Sequence, residues 1–153
     1  MGEMQLSEIT IRAVQLEDLD SVTSLERLSF PAPWRREFFE GELRAPGRLC
    51  LVALDSSAHL AGYVFAMHLF DEMHINKIAV SPESQRQGVA TTLMERCIAF
   101  GKEHEVTMMT LEVRESNRAA QRFYKSLRFK PVYSRPHYYP DGEGAIVMSA
   151  RLT

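Results

Sequence analysis

The chain has 153 residues, 45% of them hydrophobic and 25% charged, the balance of a globular protein long enough to bury a core, and is expected to form one domain over 1–153. Lysine and arginine total 18 against 20 acidic residues, a formal charge of −2, so no basic field directs it to nucleic acid. No apolar run approaches the ~20 residues of a membrane span, and Met1–Gln5 lacks the basic and apolar regions of a signal peptide. No membrane partner and a cytoplasmic location are therefore expected.

Leu6 to Val14 alternates, with Ile9, Ile11 and Ala13 opposed to Thr10 and Arg12, which predicts a strand with one wet face. From Leu16 to Leu28 the period changes: Leu16, Leu19, Val22, Leu25 and Leu28 mark a helix, with Glu17, Asp18 and Asp20 in its first turn. Pro31 and Pro33 forbid its continuation through Trp34. A second short helix is expected over Arg35 to Leu43, with Phe38, Phe39 and Leu43 on its apolar side. Leu49–Leu54 and Leu60–Met67 read as a hairpin turning at Asp55-Ser56-Ser57.

The next stretch, Ile75 to Glu103, organises the chain. Ile78-Ala79-Val80 is a strand end, Ser81-Pro82-Glu83-Ser84 breaks it, and Gln85-Arg86-Gln87-Gly88-Val89-Ala90 leads into a helix. Val89, Leu93 and Cys97 recur every fourth residue, as do Ala90, Met94 and Ile98, which gives an apolar helical face. A strand, a glycine turn and a helix N-terminus offer free amides and a positive dipole end to a phosphate or pyrophosphate. Gly88 admits the anion closely because it has no Cβ. The turn has neither the Gly-Lys-Ser/Thr of a Walker loop nor G-x-G-x-x-G. A plain strand–loop–helix junction is the bland alternative.

Thr107–Val113 follows as a strand, and Ser116-Asn117 signals the cap of a helix through Leu127, with Ala120, Phe123, Tyr124 and Leu127 on one face. Lys130–Ser134 and Ala145–Leu152 read as closing strands around the turn cluster Tyr139–Gly144. The order β-α-α-β-β-β-α-β-α-β-β describes an α/β fold, a mixed and mostly antiparallel sheet with helices on both faces. Cys50 and Cys97 make no disulfide framework; Cys97 reads as a structural thiol of a reducing cytoplasm. No His/Cys pairing has metal-ligand spacing, so no metal is expected.

Gln85-x-x-Gly88-x-Ala90 matches Q/R-x-x-G-x-G/A and resembles the acetyl-CoA pyrophosphate loop of the GCN5-related N-acetyltransferases (GNAT). With His74-Ile75-Asn76-Lys77-Ile78-Ala79-Val80, the block Leu111–Ala120 followed by Phe123-Tyr124 and Phe129, Pro33-Trp34, and Arg135-x-x-Tyr138-Tyr139, the chain is similar to the ribosomal-protein-alanine (RimI-type) branch. The resemblance spans nearly the whole chain. Three positions depart from the pattern: Ala90 where glycine is common, Lys77 inside the cofactor strand, and Arg128 where Leu-Gly-Phe is usual. A turn needing positive φ at 128 would strain the arginine.

The resemblance implies an acetyl-CoA-dependent N-acetyltransferase without metal, acting on a protein or peptide N-terminus, an alanine of a small-subunit ribosomal protein, by direct attack in a ternary complex. It implies Glu112 as the base, directly or through water; Glu72 and His74 are the reserve candidates, because they precede the cofactor strand and could face the same cleft. Tyr124 becomes the acid for the departing thiolate. Backbone groups of Ile78, Ala79 and Val80 would pair with pantetheine, amides of Gln85, Arg86, Gln87, Gly88, Val89 and Ala90 would hold the pyrophosphate, and Asn117 would contact pantetheine. Trp34, Tyr138 and Tyr139 would line the acceptor entrance. Each has a plainer reading: an exposed strand carboxylate for Glu112, a core tyrosine for Tyr124, a helix cap for Asn117, hairpin packing for the aromatics. Transfer to a lysine or a small amine, and a non-catalytic acyl-CoA-binding regulatory module, remain the alternatives.

Overall fold

A computed structural model describes residues 8–152. Seven strands form one sheet in the order β1-β2-β3-β4-β5-β7-β6. They are β1 (Thr10–Ala13), β2 (Arg48–Leu54), β3 (Leu60–Leu69), β4 (Glu72–Val80), β5 (Met108–Arg114), β6 (Lys130–Arg135) and β7 (Ala145–Arg151). The helices are α1 (Leu19–Ser29), α2 (Arg36–Arg44), α3 (Val89–Glu103) and α4 (Arg118–Ser126). Element types and order agree with the sequence, and the first two residues of the expected Leu6–Val14 strand lie outside the described residues. The chain resolves into two compact units, residues up to Ala66 with Lys77–Cys97, and Met67–Asn76 with Ile98 onward.

In the first unit β1 pairs antiparallel with β2, from Thr10↔Leu54 to Ala13↔Leu51. Leu19, Val22 and Leu25 of α1 and Phe39 of α2 pack with Val52, Tyr63 and Phe65. Side chains alternate along a strand, so Gly62 points oppositely to Tyr63. There a Cβ would meet Ala79 O at 2.7 Å and Val89 Cγ1 at 3.1 Å, and glycine is what lets α3 approach that face. Helices thus cover both faces of β3.

The first helix departs from expectation. Leu16 belongs to a 3₁₀ turn, Leu16–Asp18, closed by Asp18 accepting from the Gln15 amide at 2.7 Å and from Arg12. Leu16 is 55% and Leu28 69% exposed, whereas Glu26 is fully buried. At about 100° per residue, successive i+3 steps drift off a helical face, so Leu28 lies roughly half a turn from Leu19 while Glu26 returns beneath it. Likewise Phe39 is buried on α2 but Phe38 is exposed.

In the second unit β4 runs parallel to β5, from Glu72↔Met108 to Ile75↔Leu111. A parallel neighbour needs a crossover, and the connection through α3 supplies it. β7 pairs antiparallel with β5 and with β6, with an irregularity between Pro131 and Tyr133. Asn117 caps α4, its Oδ1 accepting from the Ala120 amide at 3.0 Å. The helix ends as the amides of Leu127 and Phe129 both donate to Tyr124 O at 3.0 Å. Arg128 takes φ 74°, a left-handed C-terminal position that glycine usually fills. Among the described residues no helix is long and apolar enough to cross a membrane.

Candidate active site

After Val80 the chain is tied back to β3 by the Ser81 amide donating to Ala61 O at 2.8 Å, and Pro82–Ser84 makes a 3₁₀ turn. Arg86 (φ 67°) and Gly88 (φ 77°) then take left-handed conformations on either side of Gln87. The Thr92 amide and hydroxyl both donate to Gly88 O at 2.9 Å. The amides of Val89, Ala90 and Thr91 precede that first helical bond and are available to an external acceptor at the positive end of α3. An ideal Cβ on Gly88 would meet nothing within 4 Å, so the glycine borders open space and its φ is the local requirement. These features fit a pyrophosphate cradle. Ala79 turns inward while Ile78 and Val80 are half-buried, beyond the last β4–β5 pair, Ile75↔Leu111.

The second unit assembles a proton-handling cluster. Alternation buries Leu111 and Val113 and directs Glu112 to the other face of β5, as the sequence reading has it. Glu112 Oε1 lies 2.8 Å from His74 Nε2. His74 Nδ1 lies 2.5 Å from Asn76 Oδ1. With acceptor oxygens at both ring nitrogens, the protonated imidazole donates on each side. The Tyr138 hydroxyl makes a long contact, 3.5 Å, with the same Glu112 oxygen, and the Arg135 guanidinium lies over the Tyr138 ring.

Burial opposes the charge on His74, but the bonds to Glu112 and Asn76 and the carboxylate's attraction outweigh it and raise its pKa. For Glu112 burial also opposes ionisation; hydrogen bonding from His74, with the charges of His74 and Arg135 and the Tyr138 contact, prevails and lowers its pKa. The two groups hold each other ionised.

Tyr139, next to Tyr138, is fixed by a clamp. Arg114 lies over its ring at 4.1 Å and donates from Nη1 to Asp141 Oδ2 (2.9 Å) and Glu143 Oε1 (2.8 Å). Glu143 Oε2 accepts from the Ser116 amide at 2.8 Å. Bonds from Ser116 and Arg114 hold the Glu143 carboxyl down at about 2. The loop between β6 and β7 is thereby pinned to the turn that starts α4.

Of the other candidates, Tyr124 is buried, with its ring against Phe123 and Phe129 at 5.2 and 5.8 Å, and burial pushes its hydroxyl up to about 12. Asn117 fills its capping role. Glu72 is exposed and, two residues from His74, shares its strand face; both border a cavity of about 200 Å³ with Thr110 and Met67. Trp34 packs on Phe38 (4.3 Å), Phe39 (5.3 Å) and Phe65 in the first unit. Sequence reasoning missed Asn76 and Arg135 as members of the cluster. Asn76 was within reach, since it sits two residues beyond His74 on the same face. Cys97 is buried, its thiol pushed up to about 12, and among the described residues no group of three or more His, Cys, Asp or Glu is placed to hold a metal ion.

Residues 19–129 match the model of the Acetyltransferase (GNAT) family. The chain belongs to the GNAT family. Among relatives, this GNAT chain is 34% identical over 143 residues to a Bacillus subtilis protein provisionally named a ribosomal protein bS18-alanine N-acetyltransferase, covering 93% of the chain and 95% of that protein. It is 31% identical to an N-alpha-acetyltransferase of Saccharolobus solfataricus, covering 95% and 94%. The crystal structure of the Escherichia coli ribosomal-protein-S18-alanine N-acetyltransferase superposes with a TM-score of 0.87 at 31% identity, covering 95% of each chain.

Proposed function

We propose that this GNAT protein acetylates the α-amine of a protein N-terminus in the cytoplasm, the acceptor being an N-terminal alanine of a small-subunit ribosomal protein. The likeness to alanine and α-amine acetyltransferases over almost the full chain supports that acceptor. The observation that carries the mechanism is the His74–Glu112 pair with Tyr138 against it. Bound acetyl-CoA supplies an activated thioester. The turn from Gln85 to Ala90 binds its pyrophosphate through backbone amides, Arg86 adding a charge, and Ile78–Val80 and Asn117 hold the pantetheine arm.

A free α-amine has a pKa near ~7.7–8.0, so it needs only a modest proton acceptor. Glu112 alone is a weak one, because His74 keeps it ionised. The pair acts together: above the raised pKa of His74 the imidazole is neutral, and the dyad takes one proton from the ammonium directly or across a water. Arg135 and Glu112 fix Tyr138 at the acceptor side. The neutral nitrogen forms its bond to the thioester carbonyl carbon as the C–S bond breaks. Tyr124, which burial keeps protonated at neutral pH with its hydroxyl raised to about 12, gives its proton to the departing thiolate and regains one from the acylated nitrogen. The test is incubation with acetyl-CoA and a peptide bearing a free N-terminal alanine, followed by fragmentation mass spectrometry. One acetyl group on the α-nitrogen is expected, and none on the peptide would overturn the reading.

A further inference from the structure

Glu26 has no solvent exposure, yet acetyl transfer gives it no chemical task. Its Oε1 accepts from the Tyr63 hydroxyl at 2.5 Å, and its Oε2 accepts from the Trp34 amide and from Lys77 Nζ, both at 2.9 Å. Lys77, one of the three residues that depart from the family pattern, also places its ammonium 3.8 Å over the Phe30 ring and 4.9 Å over Trp34. A fully buried carboxylate is expensive unless paired and hydrogen-bonded; here a cation and two neutral donors meet it.

What this node holds is the link between α1 and α2. Residues 30–35 lie outside both helices, and Pro31 and Pro33 have no amide to donate. The Trp34 amide reaches across eight residues to the Glu26 carboxylate instead. Beside it the exposed Phe38 ring packs at a tilt against Trp34, 4.3 Å between centroids. Tyr63 belongs to β3, and Lys77 precedes the proposed pantetheine residues Ile78–Val80 on β4. One buried carboxylate therefore sets Trp34 relative to both strands.

We infer that Glu26 and Lys77 are positioning residues for the acceptor: they fix the Pro31–Trp34 connection and thereby how tightly the acceptor peptide binds. This rests on the proposed role of Trp34 in lining the acceptor entrance. Lys77→Met keeps an apolar stem against Phe30 and Trp34 and removes the charge. Glu26→Gln weakens the acceptor for Trp34 and Lys77 with little change of shape.

Trp34 is the only tryptophan of the chain, so its fluorescence reports the connection independently of activity. In both folded variants, checked by circular dichroism, a red-shifted emission and stronger acrylamide quenching are expected. Acceptor KM should rise about tenfold, as for loss of one hydrogen bond's worth of uniform binding. kcat and the KM for acetyl-CoA should change little. If Lys77→Met does not fold, the double variant Glu26→Gln/Lys77→Met, which strands no charge, is measured in its place with the same expectations. Unchanged emission and quenching would overturn the inference whatever the enzyme does, as would equal rises in both KM values. A wild-type protein that acetylates no N-terminal peptide, with the fluorescence shift present, would overturn the proposed function and leave the node's hold on Trp34 standing.

Discussion

Replacing Gly88 by alanine separates the anion cradle from the fold that carries it. At φ 77° an L-residue is strained by roughly 1–2 kcal/mol. The reduced entropy of the unfolded chain offsets about 0.4–1 kcal/mol of that. The new methyl group meets no protein atom within 4 Å, so no clash is added. The net cost is about 1 kcal/mol, a fall in Tm of roughly 2–4 °C for a chain of this size, and the variant folds. The methyl instead enters the space assigned to the pyrophosphate. Losing one charged hydrogen bond there, about 1.5–3 kcal/mol, weakens CoA binding roughly 10–100-fold. Calorimetry should compare CoA with S-acetylpantetheine, which has no pyrophosphate, and only CoA should lose affinity. A folded Gly88→Ala variant that binds CoA like wild type, or that loses both ligands equally, would refute the cradle.

Tyr124→Phe should keep the fold and acetyl-CoA affinity, since the ring still packs on Phe123 and Phe129, while kcat falls ~10²–10⁴-fold; single-turnover rates check it. The pair's contribution to stability is full between the ordinary glutamate and histidine pKa values, ~4.3 and ~6.5. It is lost as pH rises through the raised value of His74 and as pH falls through the lowered value of Glu112. Glu112→Gln leaves burial to dominate at His74, so the NMR titration midpoint of that imidazole should move down; an unmoved midpoint contradicts the pairing. Arg128→Gly removes left-handed strain and should stabilise the protein by roughly 0.5–1 kcal/mol, read as a higher Tm in thermal melts.

Local patterns made much of this fold legible. The recurrence of Val89, Leu93 and Cys97 at every fourth residue announces α3, and all three are buried. The alternation of Leu111, Glu112 and Val113 gives the orientation of Glu112 directly, and Asn117 is visible as a cap because the side-chain chemistry is local. Non-local contacts were harder to read. His74 meets Glu112 across 38 residues of sequence, and only the parallel register of β4 and β5, fixed by the crossover through α3, brings them together. Glu26 was hidden for a different reason: leucines at threes suggest a stripe that the true helical period abandons, and a buried glutamate has no sequence signature until its donors are placed.

The central claim is that the acceptor is an α-amine rather than a side-chain amine. Two peptides decide it, one with a free N-terminal alanine and no lysine, the other blocked at its N-terminus and carrying one lysine. A glutamate–histidine pair suits an amine of pKa ~7.7–8.0 far better than one near ~10.4. At neutral pH the free-alanine peptide should show the higher kcat/KM, with the blocked peptide close to background. A higher kcat/KM for the blocked lysine peptide would contradict the account and make this scaffold a lysine acetyltransferase.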